Sequence, residues 1–245
     1  MASMTPAAPN KKPAVLELRL FKLRNTLDGQ NQRTSDFLAK HYIPAIHRAG
    51  AGTVGAFGSV IASGSPFLLL VTSFPSLTAI DNAIDKIAAD KEYIQARTEF
   101  DSGPTPYMRM ETSLLKCFDS IPDMEIPPTD SKRPPRIYEL RTYESPTSTA
   151  QVKKIGMFDN GEIAIFRKVH MAPVFFGRTL YGQNMPNLTY MVGFDSLAER
   201  EKAWGAFGSD EEWKKLRATP GLSDPEVVSN ISNAILRPLP FSQVR

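Results

Sequence analysis

The sequence predicts an α+β fold made of two copies of one β-α-β-β-α-β unit, and three observations lead to this prediction. Short motifs recur about 120 residues apart in the chain of 245 residues. A proline-rich segment separates the two sets of motifs. The strands and helices that the hydrophobic pattern predicts follow the same order on both sides of this segment, and that order is typical of ferredoxin-like folds.

Three motifs define the repeat. They are Glu17-Leu18-Arg19 with Glu139-Leu140-Arg141, Phe74-Pro75-Ser76-Leu77 with Phe194-Asp195-Ser196-Leu197, and Asp90-Lys91-Glu92-Tyr93 with Asp210-Glu211-Glu212-Trp213. Matches in one order at nearly one spacing indicate duplicated structural units. We therefore expect a first repeat at residues 14–118 and a second repeat at residues 137–240.

The segment between the repeats, residues 119–136, is predicted to be a linker. It contains Pro122, Pro127, Pro128, Pro134 and Pro135. Proline removes a backbone donor and fixes φ, so this density blocks helices and central strands and favours an extended spacer.

Each repeat is predicted to contain a strand, a helix, two strands, a second helix and a last strand. In the first repeat these elements are expected at 15–21, 30–49, 54–61, 67–74, 76–97 and 107–116. In the second repeat they are expected at 137–143, 148–169, 174–181, 188–194, 196–217 and 227–236. Serine and threonine favour helix N-caps, so Ser76, Ser196 and the cluster Thr147-Ser148-Thr149 are predicted helix starts.

The helices of such a unit cover only one face of its sheet. The uncovered faces of two units on one chain can be hidden by packing sheet against sheet, or by closing a barrel between the units.

Several segments of the second repeat resemble the NIPSNAP family. The run Ile137 to Tyr143 is similar to the opening strand of a NIPSNAP domain. Leu188 to Phe194, followed by Asp195-Ser196-Leu197 and Trp204, resembles its third strand and second helix. The resemblance is weaker over 14–118, where the positions of Thr189-Tyr190 and Trp204 hold Leu69-Leu70 and Ile84.

This resemblance implies the dimeric α/β-barrel fold, in which single-domain members pair across their sheets. A tandem chain would form that barrel internally. Relatives with the wider fold include cofactor-free monooxygenases, polyketide cyclases and haem enzymes. NIPSNAP proteins themselves have no settled chemistry, so the resemblance implies no particular reaction.

Composition predicts a folded soluble protein, with 42% hydrophobic and 22% charged residues. The most apolar run, Phe67 to Val71, is far shorter than a membrane span. Met1 to Pro13 lacks the apolar core of a secretory signal and is typical of a disordered tail, a tag remnant or the start of an exported chain whose leader was removed. Localisation, cytoplasmic or exported, stays open.

Charge and motif context argue against nucleic acid and nucleotide partners. The net charge is +3, and basic pairs such as Lys153-Lys154 and Lys214-Lys215 lack interleaved aromatic residues. Gly50 to Gly55 spells G-x-G-x-x-G, but a helix is predicted before it and a strand after it, the reverse of a dinucleotide site. The single cysteine, Cys117, offers no zinc pattern.

The three histidines do not predict a metal site. His41 and His47 are six residues apart and therefore lie on different faces of a helix. His170, near the end of a predicted helix, has two interpretations. It could reach a barrel lumen as a base or an axial haem ligand, or it could compensate the helix C-terminal dipole, the reading we favour. We expect no metal and no cofactor, with haem as the alternative tied to His170.

Charged residues alternate with apolar ones in the strands. Glu17 and Arg19 share one face of the first strand, while Leu16, Leu18 and Leu20 share the other. In the ferredoxin-like order Arg109 and Glu111 of the last strand would lie opposite Glu17 and Arg19. These charges either form a solvated outer face or line the lumen, where paired charges orient a polar ligand. Given the resemblance, we expect the lumen.

The function we expect is a barrel that binds, or transforms without a cofactor, a small molecule in a charged lumen. Candidate ligand-binding residues are Glu17, Arg19, Arg109, Glu111, Glu139, Arg141 and Tyr190. Proton transfer would use Glu139 or His170 as base, with Arg141 stabilising negative charge. The alternative is a non-catalytic interaction or scaffold module with a closed barrel, whose outer surfaces meet a partner or a second copy.

Overall fold

The structure is a computed structural model that describes residues 12–129 and 134–245. The predicted tail, Met1 to Pro13, therefore lies largely outside the described residues. Residues 130–133 of the predicted linker also lie outside them. The strands of the first repeat are β1 (Val15–Lys22), β2 (Val54–Ile61), β3 (Phe67–Phe74) and β4 (Arg109–Cys117). Those of the second are β5 (Ile137–Glu144), β6 (Ala172–Tyr181), β7 (Asn187–Phe194) and β8 (Asn230–Pro238).

Helices lie between the strands in the predicted order. The first repeat contains α1 (Gln30–Phe37), α2 (Ile43–Arg48), α3 (Leu77–Ala89) and α4 (Lys91–Ser102). The second contains α5 (Ser148–Met157), α6 (Ile163–Lys168), α7 (Leu197–Ser209), α8 (Glu211–Arg217) and α9 (Asp224–Val227). A π-helical turn joins α1 to α2 at Leu38–Tyr42, and another joins α5 to α6 at Phe158–Glu162. None of these helices has the length and apolar character of a membrane span.

Within the described residues, eight antiparallel strands close one barrel. Their order is β1-β3-β2-β8-β5-β7-β6-β4, and β4 pairs with β1 to complete the ring. Two seams join the repeats, β2 to β8 and β4 to β6. The prediction of two ferredoxin-like units that form one barrel inside a single chain is confirmed.

The barrel divides the apolar core into three layers. Alternate residues of each strand point into the lumen or out towards the helices. The lumen is filled by residues such as Leu16, Leu18, Phe57, Tyr138, Phe175 and Met191. Outside it, the first-repeat layer lies between β1, β3 and helices α1 to α4, and the second-repeat layer lies between β5, β7 and helices α5 to α9.

The predicted helix starts are confirmed by their capping bonds. The Ser76 hydroxyl accepts a hydrogen bond from the backbone N–H of Ala79 at 3.1 Å, and Thr147 caps α5 through Ala150 in the same way. The single second helix predicted at 76–97 is wrong, because the chain turns at Asp90. The Asp90 carboxylate accepts from the backbone N–H of Tyr93 at 3.0 Å and starts a separate helix. Asp210 breaks the second repeat in the same way.

The linker is more than a spacer. Residues 118–129 form no helix or strand, yet Phe118 and Ile121 are buried in the second-repeat layer. The backbone N–H of Phe118 donates to Phe176 O at 2.9 Å, and that of Glu125 donates to Val174 O at 2.7 Å. The linker therefore runs along β6 as part of the core.

The C-terminal segment crosses from the second repeat to the first. The backbone N–H of Leu239 donates to Ala56 O at 2.8 Å, and the hydroxyl of Ser242 accepts from the N–H of Ala56 at 2.9 Å. Val244 is fully buried in the lumen core. These contacts add to the β2–β8 seam.

Candidate functional site

Four of the six charged residues expected in the lumen point the other way. Arg19 lies over the ring of Tyr42 at 5.1 Å, and Arg141 lies over the ring of Trp204 at 4.6 Å, both in the helix-covered layers. The lumen prediction is wrong for Glu17, Arg19, Glu139 and Arg141. Leu16, Leu18, Tyr138 and Leu140, at the alternate positions, fill the lumen, so the charged positions must face the helices.

The expected pairing of the first and last strands is also shifted. Glu17 lies opposite Leu114 and Arg19 lies opposite Thr112, so neither meets Arg109 or Glu111. Glu111 instead faces the mouth of the barrel, where it pairs with Lys22 at 2.8 Å. Arg109 is largely exposed at the rim.

Tyr190 and His170 lie outside the lumen as well. Tyr190 is fully buried in the second-repeat layer. His170 is exposed just after α6, with φ of 64°, and lines an outer groove beside Asp195 and Lys202. The seven predicted ligand-binding residues therefore do not form one site.

The second-repeat layer holds a carboxylate whose two oxygens are both hydrogen-bonded. Glu139 is fully buried and accepts bonds from Arg141 Nη1 at 2.8 Å, Arg200 Nη2 at 2.7 Å, Trp204 Nε1 at 2.8 Å and Asn233 Nδ2 at 3.0 Å. Burial raises the pKa of Glu139, but the hydrogen bond from Arg200 and the charge of Arg141 outweigh it and lower the pKa to about 2. The carboxylate is ionised and held on several sides.

Other polar groups of this layer are also partnered. Lys154 Nζ donates to Glu162 Oε2 at 2.9 Å with both side chains buried. The hydroxyl of Tyr190 donates to that of Tyr143 at 2.9 Å. Phe176 stacks on Tyr190 with ring centroids 4.9 Å apart. Close packing and these hydrogen bonds make this layer structural, although Arg141 Nε has no partner.

The first-repeat layer keeps the Glu–Arg pair but lacks its partners. The positions of Arg200, Trp204 and Asn233 are held by Ile80, Ile84 and Thr112. Along the helix, Thr34, Leu38 and Tyr42 stand at the positions of Lys154, Phe158 and Glu162. Most of these side chains are shorter or less polar than their counterparts, and Tyr42 is the one that is longer.

A cavity of about 110 Å³ opens in the first-repeat layer. We call it the first-repeat cavity; its polar lining is Arg19, Thr34, Tyr42, Tyr93, Arg97 and Tyr107. Phe37 and Phe100, stacked at 4.1 Å, form part of its apolar wall. The loop at 103–107 closes one side and is held by Gln30 Nε2, which donates to Thr105 O at 2.9 Å.

Buried polar atoms beside this cavity have no hydrogen-bond partner. They are the Tyr42 hydroxyl, Arg19 Nε and Glu17 Oε2. Arg19 Nη2 donates to the other oxygen of Glu17 at 2.9 Å. The corresponding atom of Arg141, Nε, is also unpartnered, so the Tyr42 hydroxyl and Glu17 Oε2 distinguish the first repeat.

The electrostatics of the cavity favour a neutral tyrosine beside a charged arginine. Burial raises the pKa of Tyr42, and Arg19 only partly opposes this. Burial lowers the pKa of Arg19, but the neighbouring Tyr42 and Glu17 raise it by a larger amount. The pKa of Arg19 therefore lies above its ordinary value, and the guanidinium stays charged. Tyr42 and Arg19 together offer hydrogen-bond donors at a desolvated site.

Sequence reasoning missed Tyr42, Tyr93, Arg97 and Tyr107. Their signal lay in comparing the repeats position by position. Both repeats have the glutamate, but the positions of its partners Arg200 and Trp204 are held by isoleucines in the first repeat. The first-repeat glutamate therefore lacks hydrogen-bond donors that the second-repeat glutamate has. No group of three or more histidine, cysteine, aspartate or glutamate side chains in the described ranges could hold a metal ion.

The fold and the two layers define a class of protein: an α/β barrel of the dimeric type, formed here by two ferredoxin-like units of one chain. Residues 138–243 match the family model described as NIPSNAP. The match falls on the second repeat, which is therefore similar to a NIPSNAP domain.

Solved structures support the fold over more than nine tenths of the chain. A proposed monooxygenase of Fusobacterium nucleatum is 7% identical, with a TM-score of 0.59 and 93% of each chain covered. One of Lactobacillus acidophilus is 10% identical, with a TM-score of 0.58, covering 92% of this chain and 93% of that one. An anthrone oxidase-like protein is 11% identical, with a TM-score of 0.55, covering 96% and 94%. At these identities the likeness shows a shared fold alone.

The search of curated proteins found no significant match.

Proposed function

We propose that the chain binds a small planar molecule with an acceptor oxygen, of the phenol or enol class, in the first-repeat cavity. The observation that carries the proposal is the buried Tyr42 hydroxyl, which lines the cavity beside Arg19 without a hydrogen-bond partner.

An unpartnered buried hydroxyl is costly, by about 1 to 3 kcal/mol. The second repeat avoids this cost at its equivalent positions, where Lys154 and Glu162 bond each other and Tyr143 bonds Tyr190. A ligand oxygen that accepts from the Tyr42 hydroxyl and from Arg19 Nε would recover the lost bonds. The first repeat is then the binding half and the second the structural half.

Size and shape restrict the ligand. An apolar cavity of about 150 Å³ is known to admit benzene, and the first-repeat cavity measures about 110 Å³. Because the first-repeat cavity is the smaller of the two, it excludes anything larger than a single ring, and phenol tests that limit. The stacked rings of Phe37 and Phe100 suit a flat partner.

The proposal is for binding and not for proton transfer. None of the described residues that line the cavity is a carboxylate or a histidine. Glu139 makes a poor base because its pKa is about 2 and its oxygens are fully engaged, and His170 lies on the outer groove. Glu17 accepts a hydrogen bond from Arg19 and so orients it, but Glu17 does not line the cavity.

The test compares phenol with toluene as probes, by calorimetry and by NMR of the backbone amides. We expect phenol to bind more tightly than toluene, and Tyr42→Phe to remove that difference. Leu38→Phe, which installs the second-repeat residue Phe158, should fill the cavity and abolish binding of both probes. Tyr143→Phe is the matched control and should leave phenol binding unchanged.

Three results would contradict the proposal: no binding of phenol, equal binding of phenol and toluene, or phenol binding that survives Leu38→Phe. Thermal unfolding of each variant shows whether it remains folded. Should Leu38→Phe fail to fold, the comparison of Tyr42→Phe with Tyr143→Phe still decides.

One observation favours the interaction or scaffold function as a second candidate. The centre of the lumen is packed, with the rings of Phe57 and Tyr138 at 5.2 Å and Phe175 fully buried beside them. A closed centre suits a module that acts through its outer surface. Native mass spectrometry of purified protein tests it: a bound small molecule argues against it, and a ligand-free chain that forms a defined complex with a protein partner supports it.

A further inference from the structure

We propose that the barrel carries a second site, which binds a neutral amphipathic molecule with an alkyl body and a hydroxyl or carbonyl group. The site is a cavity of about 430 Å³ at the end of the barrel where β1 and β5 finish, here called the mouth cavity. It is separate from the first-repeat cavity and lies on the opposite face of β1. Its volume falls within the usual range of ligand pockets, about 300 to 1,000 Å³.

The mouth cavity has two unlike walls because the repeats differ there. From β1 and β3 the first repeat supplies a leucine wall of Leu18, Leu20 and Leu69, in which Leu20 and Leu69 are paired, and its strand β4 adds Glu111, Thr112 and Ser113 at the edge. At the equivalent pair of the second repeat stand Thr142 and Thr189, across β5 and β7. A hydroxyl-bearing wall therefore faces an apolar one.

The polar wall has hydrogen-bonding capacity to spare. The hydroxyls of Thr142 and Thr189 are 2.9 Å apart. Their mutual bond uses one of their two hydrogens and leaves the other available to donate. The pair also keeps acceptor lone pairs, so it can bond either a hydroxyl or a carbonyl group of a ligand.

A neighbouring amide is held in place and shapes the wall. Asn187 Nδ2 donates to Gln183 O at 2.7 Å and to Asn184 O at 3.0 Å, and its Oδ1 accepts from Thr179. Asn187 is thereby fixed, while Thr179 retains only acceptor capacity. The threonine pair, together with the nearby hydroxyls of Ser113 and Ser232, is thus where a ligand can attach.

Charge on the wall argues for a neutral ligand. Of the described residues that line the mouth cavity, Glu111 alone is ionisable. It is paired with Lys22 at 2.8 Å, so the rim presents a neutralised pair. A charged ligand would lose its hydration without gaining a counter-charge.

The experiment uses four eight-carbon probes: 1-octanol, 2-octanone, octanoate and octylammonium. Titrations are followed by NMR of leucine and threonine methyl groups, which reports on Leu20, Leu69, Thr142 and Thr189 directly. We expect the two neutral probes to shift these signals saturably and the two ions to bind at least tenfold more weakly.

The matched variant is Thr142→Val with Thr189→Val, which keeps the shape and removes the hydroxyls. Affinity for 1-octanol should fall about tenfold, as expected for the loss of one hydrogen bond. Tyr42→Phe should leave octanol affinity unchanged, which keeps this site distinct from the first-repeat cavity. Thermal unfolding shows whether the double variant is folded. If it is not, Leu20→Trp is used instead, because the larger side chain blocks the cavity and should abolish octanol binding.

The proposal fails if neither neutral probe shifts the mouth signals, if octanoate or octylammonium binds as tightly as octanol, or if the double valine variant retains full affinity. Shifts confined to residues around Tyr42 would also overturn it, since the probes would then occupy the other cavity.

Discussion

Arg200 holds Glu139 by two hydrogen bonds, from Nε to Oε2 at 2.8 Å and from Nη2 to Oε1 at 2.7 Å. In the first repeat the position of Arg200 is held by Ile80, and Glu17 is left with one oxygen bonded to Arg19 and the other without a partner. The equivalent carboxylates therefore differ: Glu139 is fully hydrogen-bonded and stabilises its layer, whereas Glu17 has one oxygen without a hydrogen-bond donor. Equivalent substitutions in the two repeats can therefore be compared within one protein.

Replacing Glu139 by glutamine should destabilise the protein much more than the same change at Glu17. Glu139→Gln leaves Arg141 and Arg200 facing a neutral amide, and we expect a loss of about 3 kcal/mol. Glu17→Gln should cost less, about 1 to 2 kcal/mol, because that carboxylate has a single partner and the side chain of Arg19 is 22% exposed to water. Urea unfolding at pH 7 measures both values, and similar losses at the two positions would contradict the contrast.

Acid should remove the contribution of Glu139 in a defined range. Its pKa is about 2 in the folded protein against 4.5 as the ordinary value. A lowered folded pKa gives stability that is present above the unfolded pKa and is lost as pH falls through the folded one. We expect the wild type to lose up to about 3 kcal/mol between pH 4.5 and 2 through this group. The slope should be shallower in Glu139→Gln, and parallel curves would refute the assignment.

Two tyrosines should respond oppositely to loss of their hydroxyl groups. Tyr42→Phe removes a buried hydroxyl that has no partner, so stability should stay within about 0.5 kcal/mol of the wild type or rise. Tyr143→Phe leaves the Tyr190 hydroxyl unpaired and should cost about 1 to 3 kcal/mol. Chemical unfolding without ligand tests this; a larger loss for Tyr42→Phe would show that its hydroxyl is already satisfied.

Lys154 and Glu162 should behave as one unit. Burial raises the pKa of Glu162, and Lys154 opposes this as its bonded counter-charge. Glu162→Gln alone should cost about 3 kcal/mol, because it leaves Lys154 charged and buried. Adding Lys154→Met should recover much of that loss. A double-mutant cycle should give a coupling above about 1 kcal/mol that persists at 1 M salt, and additive effects would rule out the buried pair.

Cutting the chain in the linker should not separate the repeats. A protease site inserted after Thr129 interrupts the backbone, but the β2–β8 and β4–β6 seams and the C-terminal segment on β2 still join the halves. We expect the cut protein to elute as one particle and to separate only in denaturant. Two folded fragments in native buffer would show that the barrel is not what holds the chain together.

The repeat, the strand order and the caps were predictable because they depend on local periodicity. Ser76 and Thr147 precede the helices they cap, and Glu17-Leu18-Arg19 recurs within a recognisable strand. The break at Asp90 was missed because the apolar pattern continues across it.

The direction of the charged face was not predictable from the pattern of β1. A strand buried on both faces gives no local sign of which side meets the lumen, and Glu17 and Leu18 alternate equally well in either orientation. An eight-stranded barrel has a lumen just wide enough for packed side chains, and apolar residues such as Leu16 fill it. The charges then meet helix residues such as Arg200, some 60 positions away in sequence, and no local period encodes that contact.

Closure of the barrel within one polypeptide has an evolutionary consequence. In an assembly of two identical chains, any codon change alters both halves at once, so a mutation that fills one cavity fills its twin. In this chain Ile80 and Arg200 are encoded separately. One half can accumulate mutations that strengthen the scaffold while its duplicate drifts or is selected for recognition, and loss of symmetry carries no penalty in assembly.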